Sequence, residues 1–339
     1  MDGINRSLQL ARRPAAMVDD STFELVEEPL PELADGEYLV RNVYLSIDPT
    51  QRVWIREEES YLPPVGIGEV MRAGAIGEVV ESRNDAFPVG TVATGLLGWQ
   101  EYAVGGPDTA ANAVPPGLPM RQMMGVLGAT GITAYFGMLE VGRPQAGETV
   151  LVSGAAGATG SVAAQIAKIQ GCRVVGIAGT DDKCAWLTGE CGLDAAINYK
   201  SEDIGTRLDE LCPDGIDVFF DNVGGTTLDE VLARITIGAR VALCGAISTY
   251  NESGLPAPIH WYMNLVIKRA SMQGFLVLDY LDRFAEAVIQ LATWEAEGKI
   301  AWRDQIVEGL ENAPRALNML FAGENTGKLL VQVGPDPTS

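Results

Sequence analysis

The pattern of apolar and polar positions changes near residue 120. Before it, short apolar runs are separated by Gly, Pro and Asn turns, which is typical of strands in a small barrel or sandwich. We predict strands there at Tyr38–Ser46, Gly74–Glu81 and Thr91–Leu97. Between about 120 and 300, strand-like runs alternate with helical spacing, which predicts a parallel sheet covered by helices on both faces.

The second region contains the clearest elements of the chain. Residues 300–339 then return to short strands and are expected to complete the first domain. We therefore predict one domain over 1–125 and 305–339, and another over 126–304. The predicted strands are Thr149–Ser153, Arg173–Ala178, Ile216–Phe220, Arg240–Cys244 and, in the tail, Leu329–Val333; the predicted helices are Gly160–Gln170 and Tyr280–Glu297.

Composition excludes several classes of partner. The 339 residues are 47% hydrophobic and 20% charged, as in an ordinary globular protein, and the net charge is −21. A surface so acidic repels nucleic acids and anionic lipids, so neither is expected as a partner. The chain shows no signal peptide and no apolar run long enough to span a membrane, which predicts a cytoplasmic protein.

Cysteine and histidine are too scarce to suggest a metal site. The five cysteines are an odd number without a Cys-x-x-Cys pair, and His260 is the single histidine. None of these residues lies in the first 150 positions, whereas zinc needs three or four Cys, His or carboxylate ligands. The sequence therefore predicts neither a disulfide framework nor a metal.

A glycine-rich turn carries the strongest chemical signal. The apolar run Val150–Ser153 leads directly into Gly154–Gly160, and a helical pattern follows. Aligned on the G-x-G-x-x-G pattern, the three positions are Ala155, Gly157 and Gly160. A helix N-terminus after such a turn presents backbone N–H groups to a pyrophosphate, so the order strand, turn, helix predicts a dinucleotide site.

The end of the second strand indicates which dinucleotide binds. NAD-dependent enzymes usually place an acid there to bond the ribose 2′-hydroxyl, but this strand ends at Ile177–Thr180. Asp181 and Asp182 are expected to begin the next helix. Lys183 is positioned to pair with a 2′-phosphate, although a solvated surface lysine is the alternative. The pattern favours NADP(H) over NAD(H).

Six segments make the chain resemble a known family. In these segments it is similar to zinc-independent medium-chain dehydrogenases/reductases, and within them to the leukotriene hydroxydehydrogenase/prostaglandin reductase group, which includes alkenal and curcumin double-bond reductases. The segments are Ser46–Pro49, Ala155–Ser161, Asn198–Lys200, Phe220–Gly225, Cys244–Asn251 and Gly323–Lys328.

The resemblance implies an α/β fold: a GroES-like β-rich domain and a doubly wound Rossmann domain inserted before the last strands. It implies reduction of the carbon–carbon double bond of α,β-unsaturated ketones or aldehydes with NADPH, and a homodimer joined through the Rossmann sheet edge. The cofactor-binding residues that it implies are Gly157, Ala158, Thr159, Gly160, Lys183, Tyr199, Asn222, Cys244, Gly245, Ala246, Ile247, Ser248, Thr249, Tyr250, Phe275, Leu276, Val277 and Asn325.

Two positions depart from the family pattern. Relatives often have Tyr-Met-Arg after the Asp-Pro of the first domain, whereas this chain has Thr50-Gln51-Arg52. A smaller or more polar substrate wall is therefore expected there. Gly154 replaces an alanine that is frequent in relatives, and this change is expected to matter little.

Tyr250 is the candidate catalytic residue. Hydride addition to the β-carbon of an enone moves negative charge to the carbonyl oxygen, and a phenol beside the nicotinamide can donate to it. The alternatives are a tyrosine that only packs against the cofactor, and donation by the cofactor's ribose hydroxyl.

The candidate substrate pocket consists of Tyr44, Thr50, Trp54 and Tyr262, each with ordinary packing as the alternative. His260, beside Trp261, is expected to be a packed residue at a helix start. A quinone oxidoreductase remains a second possible function, and an NADPH-binding protein with little catalysis a third.

Overall fold

The computed structural model describes residues 3–58, 60–107, 109, 111–252 and 258–337. The chain divides into two compact units, which are Met1–Met124 with Asp304–Ser339, and Gly125–Arg303. We call them the β-rich unit and the nucleotide unit. Their limits lie one residue from the predicted boundaries.

In chain order the strands are β1 (Ile4–Leu10), β2 (Phe23–Pro29), β3 (Tyr38–Ser46), β4 (Ala75–Ser82), β5 (Val92–Gly95), β6 (Tyr102–Gly105), β7 (Ala111–Ala113), β8 (Thr149–Val152), β9 (Arg173–Ala178), β10 (Ala195–Asn198), β11 (Ile216–Asp221), β12 (Ile235–Leu243), β13 (Ser271–Gly274), β14 (Asp304–Glu308) and β15 (Lys328–Gln332). The α-helices are α1 (Thr50–Trp54), α2 (Met120–Met124), α3 (Ala129–Phe136), α4 (Ala158–Ile169), α5 (Asp181–Gly189), α6 (Ile204–Leu211), α7 (Gly225–Leu232), α8 (Met263–Ile267), α9 (Phe284–Ala296) and α10 (Ala313–Ala322).

The β-rich unit is built around β3. The main sheet has the order β14-β15-β3-β4-β5-β7, β6 also pairs with β3, and β1 and β2 form a separate ribbon. Both faces of β3 are covered, since nearly all of its residues are buried. A strand buried on both faces is mostly apolar, and only Arg41, Asn42 and Ser46 depart from this pattern in β3, so its limits could be predicted from the sequence.

The nucleotide unit contains a six-stranded sheet with the order β10-β9-β8-β11-β12-β13. Its pairings are parallel. Chain order reverses between β8 and β11, and in open parallel sheets ligands bind at this switch point, outside the carboxyl ends of the strands. Together with the β-rich unit, this sheet confirms the predicted fold class.

Several predicted limits were wrong. Strand β5 ends at Gly95 rather than Leu97, and β12 begins at Ile235 rather than Arg240. The predicted helix from Tyr280 begins only at Phe284, because Tyr280 has the non-helical angles φ −118° and ψ 17° and stacks on Phe136 with ring centroids 4.3 Å apart.

The tail beyond residue 300, predicted to contain only short strands, also contains α10. Pro314 stands at the start of this helix, where its missing N–H costs no hydrogen bond. Ala313, Ala316 and Leu317 are fully buried in the core of the β-rich unit. The helix therefore covers that core, which explains its apolar spacing.

The glycine turn between β8 and α4 is required by backbone geometry. Gly154 has φ +57°, in the left-handed region, so it takes the tight turn that the motif alignment gave to Ala155. A Cβ on Gly160 would lie 2.3 Å from the Gly154 carbonyl oxygen. Helix and strand approach this closely only because residue 160 has no side chain.

We expect Gly160→Ala to lower the free energy of unfolding by about 1–3 kcal/mol, because the added methyl group must displace backbone. Denaturant unfolding measures the change. Gly189→Ala is the matched control: this helical glycine would have nothing within 4 Å of its Cβ, so its replacement should be neutral or stabilising. Equal stabilities of the Gly160 variant and the wild type would contradict the packing argument.

Candidate cofactor and active site

The first turn of α4 forms an anion-binding surface. Gly157 is the N-cap and has no side-chain oxygen with which to cap the helix. The N–H groups of Ala158, Thr159 and Gly160 follow in the first turn, at the positive end of a 12-residue helix. These are the residues expected at the pyrophosphate, and their geometry fits that group.

A buried carboxylate joins the loops beside this turn. Asp221 ends β11 and is fully buried. One of its oxygens accepts from the Ser153 hydroxyl at 2.7 Å and from the Val223 and Gly224 amides at 2.9 and 3.1 Å. Burial raises the pKa of Asp221, while these hydrogen bonds act to lower it. Its backbone oxygen accepts from the amide of Cys244. Asp221 thus connects the carboxyl ends of β8, β11 and β12.

Asn222 contacts the segment Cys244–Tyr250, and both are expected to line the cofactor groove. The Asn222 side-chain amide donates to the Ser153 carbonyl at 2.7 Å, and the Asn222 carbonyl accepts from the Ile247 amide. The Ser248 hydroxyl donates to the Val223 carbonyl at 2.7 Å. Each of these residues is therefore fixed by backbone contacts beside the glycine turn.

Tyr250 folds back onto its own segment. Its hydroxyl oxygen accepts from the Ala246 amide at 3.1 Å. A phenol oxygen that accepts this bond can still donate through its own O–H. Burial raises the pKa of the neighbouring Cys244 thiol to about 12, so this cysteine stays protonated and is a poor nucleophile.

Two lysines and a tyrosine meet at the end of β9. Thr180 caps α5 by accepting from the Lys183 amide. Burial lowers the pKa of Lys183, and the nearby charge of Lys200 lowers it further. The Tyr199 ring covers Gly179, where a Cβ would lie 2.9 Å from the ring. We call Lys183, Tyr199 and Lys200 the lysine cluster; its donors match a phosphate group.

Phe275 is anchored by packing. A Cβ on Gly137 would lie 2.1 Å from its ring, and the Phe220 ring lies 6.1 Å away, centroid to centroid. Leu276 and Val277 follow as a 3₁₀ turn begins at Val277. The segment expected at the nicotinamide is therefore held by the packing of Phe275 against Gly137 and Phe220.

The other predicted residues of the β-rich unit lie in different surroundings. Tyr44 is a core residue, 2% exposed, and its hydroxyl donates to Asp336 at 3.0 Å. Burial and this carboxylate raise the pKa of Tyr44 to about 12. Thr50 bonds the hydroxyl of Tyr61, and Asn325 donates to the Gly327 carbonyl at 3.0 Å.

Trp54 is buried, at 7% exposed, and packs edge-on against Tyr61 at 6.3 Å between centroids. Among the described residues its indole nitrogen has no hydrogen-bond partner. The burial of Tyr44 and its bond to Asp336 support ordinary packing for that residue. Thr50 and Trp54 remain pocket candidates.

Tyr262 lies on an exposed apolar face of the nucleotide unit, at 57% exposed, beside Trp261 at 51%. His260 bonds Asp229 through both its amide and its ring, at 2.7 and 2.8 Å, which fixes the chain just before α8. Nothing in these contacts brings Tyr262 near the glycine turn.

Sequence reasoning missed Ser153, Asp221 and Lys200. Ser153 and Asp221 lie at the ends of predicted strands, and this position was one available signal. Asp221 and Lys200 also belong to segments that the resemblance had marked.

The described parts of the chain contain no group of three His, Cys, Asp or Glu residues that could hold a metal ion. Over the same residues, no helix combines the length and apolarity needed to cross a bilayer.

The chain matches known oxidoreductases in both of its units. Residues 6–113 match the model of the N-terminal domain of oxidoreductases, and residues 158–294 match that of zinc-binding dehydrogenases. The chain is 38% identical to the NADPH-dependent curcumin reductase of Escherichia coli over 98% of both chains. It is 39% identical to the NADP(+)-dependent 2-alkenal reductase of Nicotiana tabacum, covering 90% of this chain and 89% of that protein.

A solved structure shares the whole fold. CurA of Vibrio vulnificus in complex with NADPH is 41% identical, with a TM-score of 0.93 over 97% of this chain and 99% of that one. Bovine prostaglandin reductase 1 is 38% identical over 92% of this chain and 94% of its own length. The chain belongs to the medium-chain dehydrogenase/reductase family, in the subfamily of prostaglandin, curcumin and alkenal reductases.

Proposed function

We propose that this protein uses NADPH to reduce the carbon–carbon double bond of α,β-unsaturated ketones or aldehydes. The observation that carries the proposal is the pairing of a glycine turn with the lysine cluster, in a chain that matches double-bond reductases over nearly its full length. Small enones and alkenals are the proposed substrates.

The residues present fit the cofactor. Gly157–Gly160 would hold the pyrophosphate, and the lysine cluster the adenosine phosphate. Asn222, the segment Cys244–Tyr250 and Phe275–Val277 would line the groove, with Asn325 as a further contact. When bound, NADPH supplies the hydride that is added to the β-carbon.

Tyr250 is the proposed donor to the substrate's carbonyl oxygen. Its hydroxyl oxygen accepts from the Ala246 amide, so the phenol is positioned before substrate binds. A donor that is already positioned stabilises developing charge with little reorganisation during the reaction.

The substrate wall in the β-rich unit is proposed to consist of Thr50 and Trp54. Thr50 is smaller than the tyrosine frequent in relatives, and its hydroxyl is tied to Tyr61. Tyr44 and Tyr262 remain weaker proposals because their contacts are those of a core residue and of an exposed face. A cytoplasmic location stays a prediction, in keeping with five free thiols.

A substrate panel tests the reaction. We expect 2-alkenals and enones such as curcumin to consume NADPH and to give products saturated at the former double bond. Quinones should be turned over more slowly. Turnover of quinones alone would favour the quinone oxidoreductase alternative, and tight NADPH binding without turnover of any compound would favour a binding protein.

Lys183→Ala tests the cofactor preference. Loss of one cation at the 2′-phosphate should weaken NADPH binding about tenfold or more and leave NADH binding nearly unchanged. Isothermal titration measures both affinities. Lys299→Ala, which removes an exposed lysine paired with Glu297, is the control for a general loss of charge. Equal losses for NADPH and NADH would refute the contact.

Tyr250→Phe tests the donor. Removing the phenol oxygen should lower kcat about 100-fold or more with little change in NADPH affinity. Steady-state kinetics and cofactor titration separate the two effects. Tyr280→Phe is the matched control, because that ring stacks on Phe136 and keeps its stacking face without the hydroxyl. Unchanged kcat in the Tyr250 variant would exclude its hydroxyl as a required donor.

We also propose a homodimer through the edge of the nucleotide unit's sheet. Strand β13 is the last strand of that sheet. Ile237, Tyr262, Met263, Val266 and Ile267 are all large apolar residues at least 47% exposed. An edge strand beside exposed apolar residues is a pairing surface, and two identical edges satisfy each other across a twofold axis.

Val266→Glu should shift the protein from dimer to monomer in size-exclusion chromatography with light scattering, because it places a charge in the apolar surface. Val89→Glu is the control, since Val89 is 65% exposed and lies in the β-rich unit. A wild-type monomer, or a dimer that survives Val266→Glu, would contradict the proposed interface.

A further inference from the structure

Asp181 is an acid at the start of the helix that carries Lys183. It is the first residue of α5 and directly follows the N-cap Thr180. Lys183 is two residues further along the same helical turn. A carboxylate turned toward the cluster would bond a ribose 2′-hydroxyl, as in NAD-dependent enzymes, and would repel a 2′-phosphate.

Asn198 binds this carboxylate. Its side-chain nitrogen donates to an oxygen of Asp181 at 2.6 Å. Asn198 ends β10, pairs with Ala178 of β9 and is only 7% exposed. The hydrogen bond therefore joins the Asp181 side chain to the end of a buried strand.

The Asn198 side chain is itself fixed. Its amide oxygen accepts from the Lys200 N–H at 3.1 Å, which leaves the side-chain nitrogen as the donor to Asp181. The Asn198 N–H donates to a Glu202 oxygen at 2.7 Å, and its carbonyl accepts from the Ser201 amide. With the asparagine held at these points, the position of its donor decides where the Asp181 carboxylate lies.

The other position for a ribose-binding acid is closed by packing. That acid would stand near Gly179, immediately after β9. A side chain there would meet the Tyr199 ring, because even a Cβ would lie 2.9 Å from it. One acid position is thus blocked by a ring, and the acid that follows is bonded to an asparagine.

We propose that Asn198 determines cofactor specificity by holding the Asp181 carboxylate away from the 2′-phosphate site. The Asp181 carboxylate then does not repel the phosphate at the lysine cluster. The inference rests on the proposed position of the adenosine phosphate at this cluster.

The test is the binding of adenosine 2′,5′-bisphosphate, NADPH and NADH to Asn198→Ala, measured by isothermal titration on the full chain. Without its partner, the Asp181 carboxylate is released beside the cluster. We expect binding of the bisphosphate and of NADPH to weaken about tenfold, and that of NADH to change less than about threefold. Thermal melting confirms that the variant is folded.

A charge-removing second substitution separates this effect from local damage. Asn198→Ala combined with Asp181→Asn should restore bisphosphate affinity to within about threefold of the wild type, because the repelling charge is gone. Asp182→Asn in the same background is the matched control; it removes the neighbouring charge of the same turn and should not restore binding. Failure of Asp181→Asn to restore affinity would overturn the proposal, as would unchanged bisphosphate binding in Asn198→Ala.

Lys183→Ala separates the proposed phosphate site from the proposed role of Asn198. If it weakens bisphosphate binding while Asn198→Ala does not, the phosphate site stands and the role of Asn198 is rejected. If neither substitution affects bisphosphate binding, the proposed position of the phosphate is wrong, and the role of Asn198 is rejected as well.

Discussion

The buried carboxylate of Asp221 is the constraint on which the nucleotide unit's binding edge depends. A charge removed from water costs several kcal/mol unless hydrogen bonds replace its hydration. Here the Ser153 hydroxyl and the amides of Val223 and Gly224 supply them. Meeting this requirement fixes the ends of β8 and β11, and the Asp221 backbone oxygen extends the arrangement to Cys244. The loops that would line the cofactor groove are therefore positioned before any ligand binds.

Elements whose signal is local could be predicted from the sequence. Strands β3 and β9 match their predicted limits, because both are mostly apolar and mostly buried in the structure. The start of α9 could not be predicted, since it depends on the stacking of Tyr280 on Phe136, and these rings are far apart in the chain. Helix α10 was missed although its buried residues Ala313, Ala316 and Leu317 have helical spacing, because the apolar positions beyond residue 300 were interpreted as short strands.

The candidate site divides in the same way. The glycine turn and Lys183 lie within the consecutive elements β8, α4, β9 and α5, so spacing along the chain was enough to find them. Asp221 and Ser153 are 68 residues apart, and their contact exists only because β8 and β11 are neighbours in the sheet. The role of Gly154 was underestimated since a motif records residue types, whereas its positive φ is a property of the folded turn.

In so acidic a chain, the choice between NADPH and NADH must depend on the charges close to the bound cofactor. A net charge of −21 disfavours an anionic ligand at long range, but at physiological ionic strength charges further than about 8 Å apart are largely screened. Only groups adjoining the phosphate then decide its affinity, and at the proposed site these include Lys183, Lys200 and the Asp181 carboxylate. Lys183 and Lys200 would stabilise the 2′-phosphate well only when the Asp181 carboxylate is held away from it. The hydrogen bond from Asn198 to Asp181 meets this condition, so one neutral side chain would complement the two lysines in setting the preference.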